Sequence, residues 1–457
     1  MARLEDYVVR RRSHVKAGEW WKEWPREEFE SACLTAVRQH LNWGEPLGVG
    51  KEQCGSFNAC FPVIWRDGRK VIVRFPMLGK QILRREKTDS EIATSECLRG
   101  HAGIPIPEVL GTGMAPMGPY VVMPWVDGRP LCRVLFPLLD RTRDPRAHER
   151  EVRQAYREMA DITLRLSWLR FSGIGSLVRQ RGTFAVAGRP LTFTMNELIR
   201  NCGLPLEAFP KRTYISSREY FVHLANLHLT QFRVQFNGLI YTERDCRSKL
   251  VARFLFLNLV RDRLSYESPQ GPFRLYCDDF RPSNVRADRK TGRVSAAIDW
   301  EFAYAAPVEF TYAAPWWLMG ETPGLWSTNL ESVMNVYMPR LAEFLAVMRE
   351  REDELIRERF MNEEHRLSRR MRASIDNGIF WLCLAARTPS LFDAIYWKYI
   401  DQRYYGEFSN LDQRIELLSA GQQAELNTLT QRKVAEYRMS PRPRFPDPLP
   451  FNALCDL

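Results

Sequence analysis

The sequence predicts an α+β protein with a small, strand-rich first part and a large, helical second part. Short strand-like runs cluster between residues 53 and 131, and helical apolar spacing dominates after Leu131. One aspartate-rich stretch, residues 275–302, interrupts the helical part with strand-like segments. The chain has 457 residues, which is enough for two or three domain-sized units and a large core.

The first 44 residues are predicted to form an N-terminal helical extension, residues 1–44. Between Pro25 and Trp43, apolar residues recur near helical spacing, which predicts an amphipathic helix. These apolar positions are Phe29, Cys33, Ala36, Val37 and Leu41.

Residues 45–128 are predicted to form a small β-rich lobe. Strand-like runs at 59–65 and 70–75 flank the sequence Arg-Asp-Gly, which signals a hairpin. A charged helix from about Leu83 to Arg99 follows, and further short strands are expected in 104–113 and 119–131. The predicted element order is therefore β–β–β–α–β–β.

Residues 129–438 are predicted to form a large helical lobe. Helical apolar spacing is present at 157–169, 217–236 and 246–264, and again from Pro315 to about Glu436. The remaining residues, 439–457, are rich in proline and are expected to be extended or loosely ordered.

Composition excludes several classes of function. The net charge of +11 would suit nucleic acid or an anionic ligand such as a nucleotide, but no nucleic-acid motif accompanies it. The chain has no apolar run long enough to span a membrane and its charged N-terminus has no signal-peptide core, so we expect a cytoplasmic protein without membrane or nucleic-acid partners. The ten cysteines and seven histidines form neither a CxxC pair nor an HExxH motif.

The aspartate-rich stretch carries the candidate chemistry. Residues 285–287 and 294–298 read as the two strands of a hairpin, with Asn284 before the first strand and Asp299 after the second. Both side chains would then lie at one edge, where their oxygens suit Mg²⁺ shared with phosphates. Asp279 lies five residues before Asn284 and could orient a hydroxyl group and take its proton, as phosphoryl transfer requires. The alternative is a set of solvated turns, but the strand context and Asp299 favour a site.

Asp278 and Asp279 are adjacent, and spacing distinguishes them. Only Asp279 stands five residues before Asn284, as the catalytic loop of the kinase fold requires. Adjacent side chains of an extended segment point to opposite sides, so both carboxylates should not face the same phosphate. Asp278 is therefore expected to affect stability or the shape of the loop.

The first part contains candidate phosphate contacts. Gly55 and Ser56 lie at the start of a hairpin, where a small residue lets backbone N–H groups approach a phosphate. Arg74 ends an apolar strand, and Glu91, on the following predicted helix, could pair with it. The alternative role for Glu91 is a capping box with Thr88.

The sequence Met-Pro-Trp-Val-Asp-Gly, residues 123–128, is a candidate hinge that contacts adenine. Met123 lies at its start. Pro124 has no N–H group, so Trp125 and Val126 are the expected backbone contacts. The sequence Gly-Val-Gly-Lys at 48–51 is not a P-loop, because Glu52 follows where Ser or Thr is required.

Taken together, these stretches resemble the aminoglycoside phosphotransferase-like family, also called the phosphotransferase enzyme family, and especially its fungal branch. The stretches that carry the resemblance span residues 55–406 and include "CGSFNACF", "VIVRFP", "VVMPWVDGRPL", "FSGIGSL", "LYCDDFRPSNV" and "AAIDWEFAYAAPVEF". The resemblance implies a protein-kinase-like fold of two lobes, with ATP and Mg²⁺ in the cleft between them. It implies that Asp279 is the catalytic base and that Asn284 and Asp299 bind the metal. It also implies that Arg74 and Glu91 anchor the phosphates.

The chain departs from the family pattern at several positions. Cys277 stands where the family usually has a histidine, and Arg74 stands where it has a lysine, which keeps the charge but changes the phosphate geometry. The segment after Asp299 has no Ala-Pro-Glu element or long activation loop, which favours a small-molecule substrate over a protein. Arg281 could steady the transferred phosphoryl group, and a plain surface arginine is an equal alternative.

Two functions follow from the sequence. The first is an ATP-dependent phosphotransferase acting on a small-molecule hydroxyl, and the second is a non-catalytic kinase-like scaffold that binds a nucleotide or another ligand. Tyr312, Trp316 and Trp317 could form an aromatic wall for a cationic substrate or could belong to the core. Aminoglycosides, choline-like amino alcohols and sugars all remain open as acceptors.

Overall fold

The structure, a computed structural model, describes residues 5–137 and 145–439. Its mixture of helices and antiparallel sheets divides into a small strand-rich lobe and a large helical lobe, so the predicted α+β, kinase-like fold class is confirmed. The proline-rich tail predicted at 439–457 lies outside the described residues except for Met439.

The small lobe is built on one antiparallel sheet of six strands. In spatial order the first five are β1, β3, β4, β6 and β5, and β2 pairs with β3 at one end. The strands are β1 (Gly48–Val49), β2 (Gln53–Cys54), β3 (Asn58–Ile64), β4 (Lys70–Pro76), β5 (Gly111–Ala115) and β6 (Gly118–Pro124). The predicted hairpin is β3–β4, in which Ile64 pairs with Lys70.

Three helices flank this sheet: α1 (Tyr7–Glu23), α2 (Arg26–His40) and α3 (Arg84–His101). Trp20 of α1 and Phe29 of α2 share one buried apolar cluster with Phe61 and Phe75 of the sheet. The single helix predicted at 25–43 is thus α2, which ends at His40, and α1 is a separate helix before it. Burial of these aromatic side chains stabilises the small lobe by the hydrophobic effect.

Helix α1 also contacts the large lobe. The Ser13 hydroxyl donates a hydrogen bond to the Arg200 carbonyl at 2.8 Å. At the other end of the helix, Trp20 Nε1 donates to the Met117 carbonyl of the small lobe at 2.9 Å. A single N-terminal helix therefore bridges the two lobes.

Helices dominate the large lobe. They are α4 (Cys132–Leu135), α5 (Pro145–Trp168), α6 (Phe193–Cys202), α7 (Ser217–Val234), α8 (Glu243–Asn258), α9 (Val308–Tyr312), α10 (Leu330–Arg357), α11 (Leu367–Asp376), α12 (Ile379–Arg387), α13 (Phe392–Ile395), α14 (Asp401–Tyr405), α15 (Leu411–Ile415) and α16 (Ala420–Met439). The three helices predicted before the aspartate-rich stretch correspond to α5, α7 and α8. A π-helical turn, Leu259–Arg263, continues α8.

The large lobe also contains more strands than the sequence predicted. They are β7 (Arg129–Pro130), β8 (Arg170–Phe171), β9 (Ser176–Gln180), β10 (Thr183–Gly188), β11 (Phe273–Cys277), β12 (Val285–Ala287), β13 (Val294–Ala297) and β14 (Ala303–Ala306). The sequence analysis assigned no element to residues 170–188, where the structure has β8, β9 and β10. The β9–β10 hairpin turns at Arg181 and Gly182, which have φ values of 48° and 83°.

Two of these small sheets position the aspartate-rich stretch. Strand β11 lies between β14 and β8, and β12 lies between β13 and β7. Cys277 pairs with Ala303, and Val285 pairs with Ala297. The loops that follow β11 and β13 therefore emerge side by side.

Among the described helices, none has the length and apolar character needed to cross a bilayer.

Candidate active site

The loop after β11 holds Asp279 in a fixed orientation. Asp279 is buried, with 5% of its surface exposed. Asn284 Nδ2 donates hydrogen bonds to the Asp279 carbonyl at 2.9 Å and to its Oδ2 at 3.3 Å. Arg281 Nε lies 3.0 Å from Asp279 Oδ1. Both carboxylate oxygens are therefore positioned by neighbours, which is the preorganisation that a general base needs.

Asp278 has different partners. It accepts hydrogen bonds from the Phe193 backbone N–H at 3.0 Å and the Tyr304 hydroxyl at 3.4 Å. Arg387 Nη1 lies 3.3 Å from its Oδ1. These partners belong to the large lobe, so Asp278 anchors the loop there. The two adjacent carboxylates have separate surroundings, as expected for neighbours in an extended segment.

The pKa of Asp279 is raised to about 6, mainly by burial and also by the nearby Asp299 carboxylate. Arg281 and the Asn284 amide oppose this shift because they stabilise the carboxylate. A carboxylate with a pKa close to neutrality is both deprotonated at pH 7 and basic enough to accept a proton from a hydroxyl group.

This pKa predicts that Asp279→Asn stabilises the metal-free protein above pH 6. The folded-state pKa is raised above the usual 3.8, so the stability linked to Asp279 is fully present below pH 3.8 and is lost as pH rises through about 6. Asparagine cannot ionise, so the variant should be more stable than the wild type by about 2–3 kcal/mol at pH 7.5. Thermal unfolding with a metal chelator from pH 4 to 8 measures the difference. A melting-temperature difference that is constant with pH would contradict the prediction.

Asp299 follows β13 and faces the small lobe. Its φ of 66° is in the left-handed region, where aspartate and asparagine are better tolerated than most residues. Its Oδ1 lies 3.3 Å from Arg74 Nη1. The preceding residue, Ile298, donates its N–H to the Asn284 carbonyl at 2.9 Å, so Asn284 and Asp299 come together at one edge of the β12–β13 hairpin.

The side-chain oxygens of Asn284 and Asp299 are of the kind that Mg²⁺ prefers as ligands. Asn284 donates through its amide nitrogen, which leaves its Oδ1 as a ligand atom beside the Asp299 carboxylate. No cluster of three or more His, Cys, Asp or Glu that could hold a metal occurs in residues 5–137 and 145–439. Mg²⁺ commonly uses one or two protein carboxylates and completes its octahedron with water and substrate phosphates. One carboxylate and one amide oxygen are therefore enough protein ligands for Mg²⁺.

Arg74 and Glu91 form a buried ion pair between β4 and α3. Arg74 is 7% exposed and Glu91 is 8% exposed. Burial raises the pKa of Glu91, and the Arg74 charge opposes that shift. The alternative role for Glu91, a capping box with Thr88, is wrong, because α3 begins at Arg84 and the Thr88 hydroxyl donates to the Arg84 carbonyl inside the helix.

A buried polar network beside this pair was missed by the sequence analysis. Glu301, two residues after Asp299, accepts hydrogen bonds from Asn58 at 3.4 Å, Gln81 at 2.5 Å and Lys87 at 3.4 Å. These three partners belong to the small lobe, so the network joins the lobes directly behind Asp299. A local signal was present, because Lys87 stands one helical turn before Glu91 on the same face of α3.

Gly55 and Ser56 lie in the tight turn between β2 and β3, and both are exposed. The Gly55 N–H donates to the Asn58 carbonyl at 2.9 Å. The next residue, Phe57, packs against Phe302 and Phe193, with ring centroids 5.3 Å and 5.9 Å apart. These contacts hold the turn down on the large lobe.

The hinge follows β6. Met123 lines a cavity between the lobes together with Arg74, Glu91, Asp299 and Trp300. The Trp125 backbone N–H donates to the Lys70 carbonyl at 3.1 Å, so it is engaged in the sheet and is not free for adenine. Trp125 and Val126 were both expected to bind adenine through their N–H groups. Because the Trp125 N–H is engaged, Val126 is the remaining candidate.

The cavity between the lobes is small. The cavity at Arg74, Met123 and Asp299 has a volume of about 30 Å³, whereas small-molecule pockets typically measure about 300–1,000 Å³. This cavity is therefore too small to hold a nucleotide by itself.

The aromatic residues after α9 belong mainly to the core. Trp316 and Trp317 are 6% and 3% exposed, and Trp317 packs edge-on against Phe344 at 5.1 Å. Tyr312 is half-buried and has the Arg370 guanidinium over its ring at 4.3 Å. Of the two roles left open by the sequence, core packing therefore fits Trp316 and Trp317, and Tyr312 already contacts a cation. Cys277 is also buried at the end of β11.

The comparisons with known proteins identify the family. The model of the phosphotransferase enzyme family matches residues 58–332, which is more than half of the 457-residue chain. The chain belongs to the phosphotransferase enzyme family. This confirms the resemblance found in the sequence. The matched region of the phosphotransferase begins at β3, includes Asp279, Asn284 and Asp299, and ends in α10.

Several solved structures are similar to this phosphotransferase. A candidate aminoglycoside phosphotransferase from Ralstonia eutropha is 12% identical, with 92% of this chain and 99% of that chain covered and a TM-score of 0.43. An aminoglycoside phosphotransferase from Streptomyces rimosus is 16% identical, with coverages of 69% and 91% and a TM-score of 0.37. A macrolide 2′-phosphotransferase from Brachybacterium faecium is 11% identical, with coverages of 84% and 100% and a TM-score of 0.35. All three TM-scores are below 0.5, so the family assignment rests on the family model. Comparison with curated proteins gives no match.

Proposed function

We propose that this phosphotransferase moves the γ-phosphoryl group of ATP to a hydroxyl group of a small molecule with the help of Mg²⁺. The observation that carries the proposal is the orientation of Asp279, a buried carboxylate with a pKa of about 6 that Arg281 and Asn284 hold next to Asp299. Burial outweighs the Arg281 charge, so the Asp279 carboxylate is basic enough to accept a proton near neutral pH.

Each residue of the site has a proposed role. Asp279 accepts the proton of the acceptor hydroxyl, and Arg281 lies close enough to Asp279 to contact the transferred group. Asn284 and Asp299 would hold Mg²⁺ through their side-chain oxygens. Bound Mg²⁺–ATP would supply the phosphoryl group and spread the negative charge that develops during transfer.

The small lobe has a proposed role in binding ATP. Arg74, positioned by Glu91, would contact the α- and β-phosphates, and the backbone of Gly55 and Ser56 would cover them. Met123, Trp125 and Val126 would flank the adenine, with the N–H of Val126 as donor. Arginine presents a planar fork of donors that can bind phosphate oxygens in pairs.

The experiment that tests the function is an ATP-turnover assay across a panel of hydroxyl-bearing acceptors: aminoglycosides, amino alcohols and sugars. A parallel thermal-shift series with ATP, Mg²⁺ and both together reports binding. A ligand that binds the native state raises the melting temperature when its concentration exceeds its Kd. Turnover that requires both Mg²⁺ and an acceptor supports the proposal.

A non-catalytic, nucleotide-binding scaffold is the second candidate. Two observations favour it. The family usually has His and Lys where this chain has Cys277 and Arg74, and the cavity at Arg74 and Asp299 is small. Tight Mg²⁺–ATP binding without turnover of any acceptor would support this scaffold and would contradict the enzyme.

The proposed phosphate contact predicts the effect of Arg74→Gln. Loss of a charged donor should weaken ATP binding about 10–100-fold, whereas adenosine, which has no phosphates, should bind with unchanged affinity. Arg74→Lys keeps the charge and should bind ATP within about tenfold of the wild type. Calorimetric titration of each protein with ATP and adenosine measures this. If both ligands weaken equally in Arg74→Gln, the substitution has damaged the fold and Arg74 is not a phosphate contact.

A further inference from the structure

A basic pocket lies in the large lobe, away from the cleft. We call it the arginine pocket, because the side chains of Arg170, Arg274, Arg359 and Arg370 line it beside Trp168 and Tyr312. Its volume is about 310 Å³, which is within the range of pockets that hold small organic ligands. Arg274 lies five residues before Asp279 along β11, which at about 3.3 Å per residue puts it about 15 Å from the proposed base.

Three of the four arginines have no carboxylate partner among the residues that the structure describes. Arg370 pairs with Glu267, but Arg170, Arg274 and Arg359 have no such ion pair. Two acidic residues close to Arg359 in sequence, Glu363 and Asp353, are engaged elsewhere, since both pair with Arg366, at 2.7 Å and 2.6 Å. The pocket therefore carries a concentrated positive charge.

Arg274 is the key residue, because it is only 9% exposed. Its guanidinium has weak contacts with the carbonyls of Pro272 and Phe273, both at 3.5 Å. Burial lowers the pKa of Arg274, and the charges of Arg170 and Arg370 lower it too, although a hydrogen bond with Tyr312 opposes them. A buried cation with no countercharge is costly for a folded protein.

The strand pairing adds to the repulsion between the Arg274 and Arg170 side chains. Arg274 of β11 lies directly opposite Arg170 of β8 in the antiparallel ladder. Like charges directly opposite each other destabilise a sheet. Arg359 adds a second unfavourable feature, because its φ of 63° is in the left-handed region that favours glycine at the residue after a helix C-cap. A bound anion would offset the repulsion between these side chains.

We propose that the arginine pocket binds the phosphate monoester group of a small phosphorylated molecule. Several converging guanidinium groups match a doubly charged phosphate better than a single carboxylate, because each can donate paired hydrogen bonds to phosphate oxygens. Tyr312 and Trp168 would lie beside the organic part of the ligand. A pocket of this volume with one buried arginine suits a small molecule better than a flat macromolecular surface would. The inference does not depend on the proposed function of the cleft.

Isothermal titration of the metal-free protein with glucose 6-phosphate, and with inorganic phosphate as the bare group, tests the proposal. Arg274→Gln should weaken binding of both probes about 10–100-fold. Arg359→Gly should also weaken binding, and because glycine favours φ near 63°, this variant should fold at least as well as the wild type. The cleft could hold phosphate as well. Binding in the arginine pocket is therefore measured by the difference in probe affinity between the wild type and the pocket variants.

The matched control is Arg181→Gly. Arg181 is another exposed arginine with a positive φ, 48°, but it lies in the β9–β10 turn outside the pocket. Binding that is unchanged in Arg181→Gly and weakened in the two pocket variants supports the site. No binding of either probe by the wild type, or equal binding by all variants, would overturn it. Vesicles containing phosphatidic acid form the last arm, and binding to these vesicles without binding to glucose 6-phosphate would overturn the small-molecule assignment.

Discussion

Asp279→Asn should lower the rate of phosphoryl transfer by about 10²–10⁴-fold, the usual contribution of a general base. Asparagine keeps the shape of the side chain and its contact with Asn284 but cannot accept the hydroxyl proton. Nucleotide affinity should change little, because the proposed phosphate contact is Arg74 and not Asp279. The measurement is ATP turnover with a working acceptor, combined with titration of ATP into the same protein.

The adjacent residue provides the matched control. Asp278→Asn leaves the buried Arg387 without its carboxylate partner. This variant should therefore lose stability, because breaking a buried ion pair costs about 3–5 kcal/mol. Its turnover per folded molecule should stay closer to that of the wild type. The two variants should therefore differ mainly in turnover, with Asp279→Asn slowed about 10²–10⁴-fold and Asp278→Asn close to the wild type per folded molecule. Wild-type turnover by Asp279→Asn, together with an inactive but folded Asp278→Asn, would reverse the assignment.

Asp299→Asn should abolish the tightening of ATP binding by Mg²⁺. Substitutions that only support a metal ligand already weaken metal binding about 10–100-fold, so loss of a direct carboxylate ligand should exceed this. Asparagine is the best available replacement, because it also tolerates the left-handed backbone at φ 66°. Calorimetry of ATP binding with and without Mg²⁺ measures the difference.

Asp288→Asn is the matched control for Asp299. Asp288 caps the turn at the far end of the same β12–β13 hairpin, where its Oδ1 accepts from the Thr291 N–H at 2.8 Å. It should keep the full Mg²⁺ dependence of ATP binding. An equal Mg²⁺ effect in Asp299→Asn and the wild type would show that Asp299 is not a metal ligand.

Local patterns in the sequence were sufficient for most strands of the small lobe and for the β12–β13 hairpin. Short apolar, strand-like runs on both sides of Asp67 and Gly68 identify β3 and β4, because a strand and its turn are encoded by neighbouring residues. The β9–β10 hairpin was not predicted. Its signal, a turn at Arg181 and Gly182, is weak because the first turn residue is not one of the usual left-handed types.

By itself, the sequence determined the spacing of Asp279, Asn284 and Asp299 and the likeness to a phosphotransferase, since spacing along a loop and a hairpin is a local property. The tertiary structure decided which partners these residues have. Arg387 of α12 anchors Asp278, and Lys87 of α3 meets Glu301. The arginine pocket depends on the tertiary fold even more, because its four arginines are spread between residues 170 and 370 and gather only when β8, β11 and the ends of α10 and α11 pack together. Contacts between distant segments leave no periodic signal in the sequence, so burial, charge pairing and pKa emerge only from the packed fold.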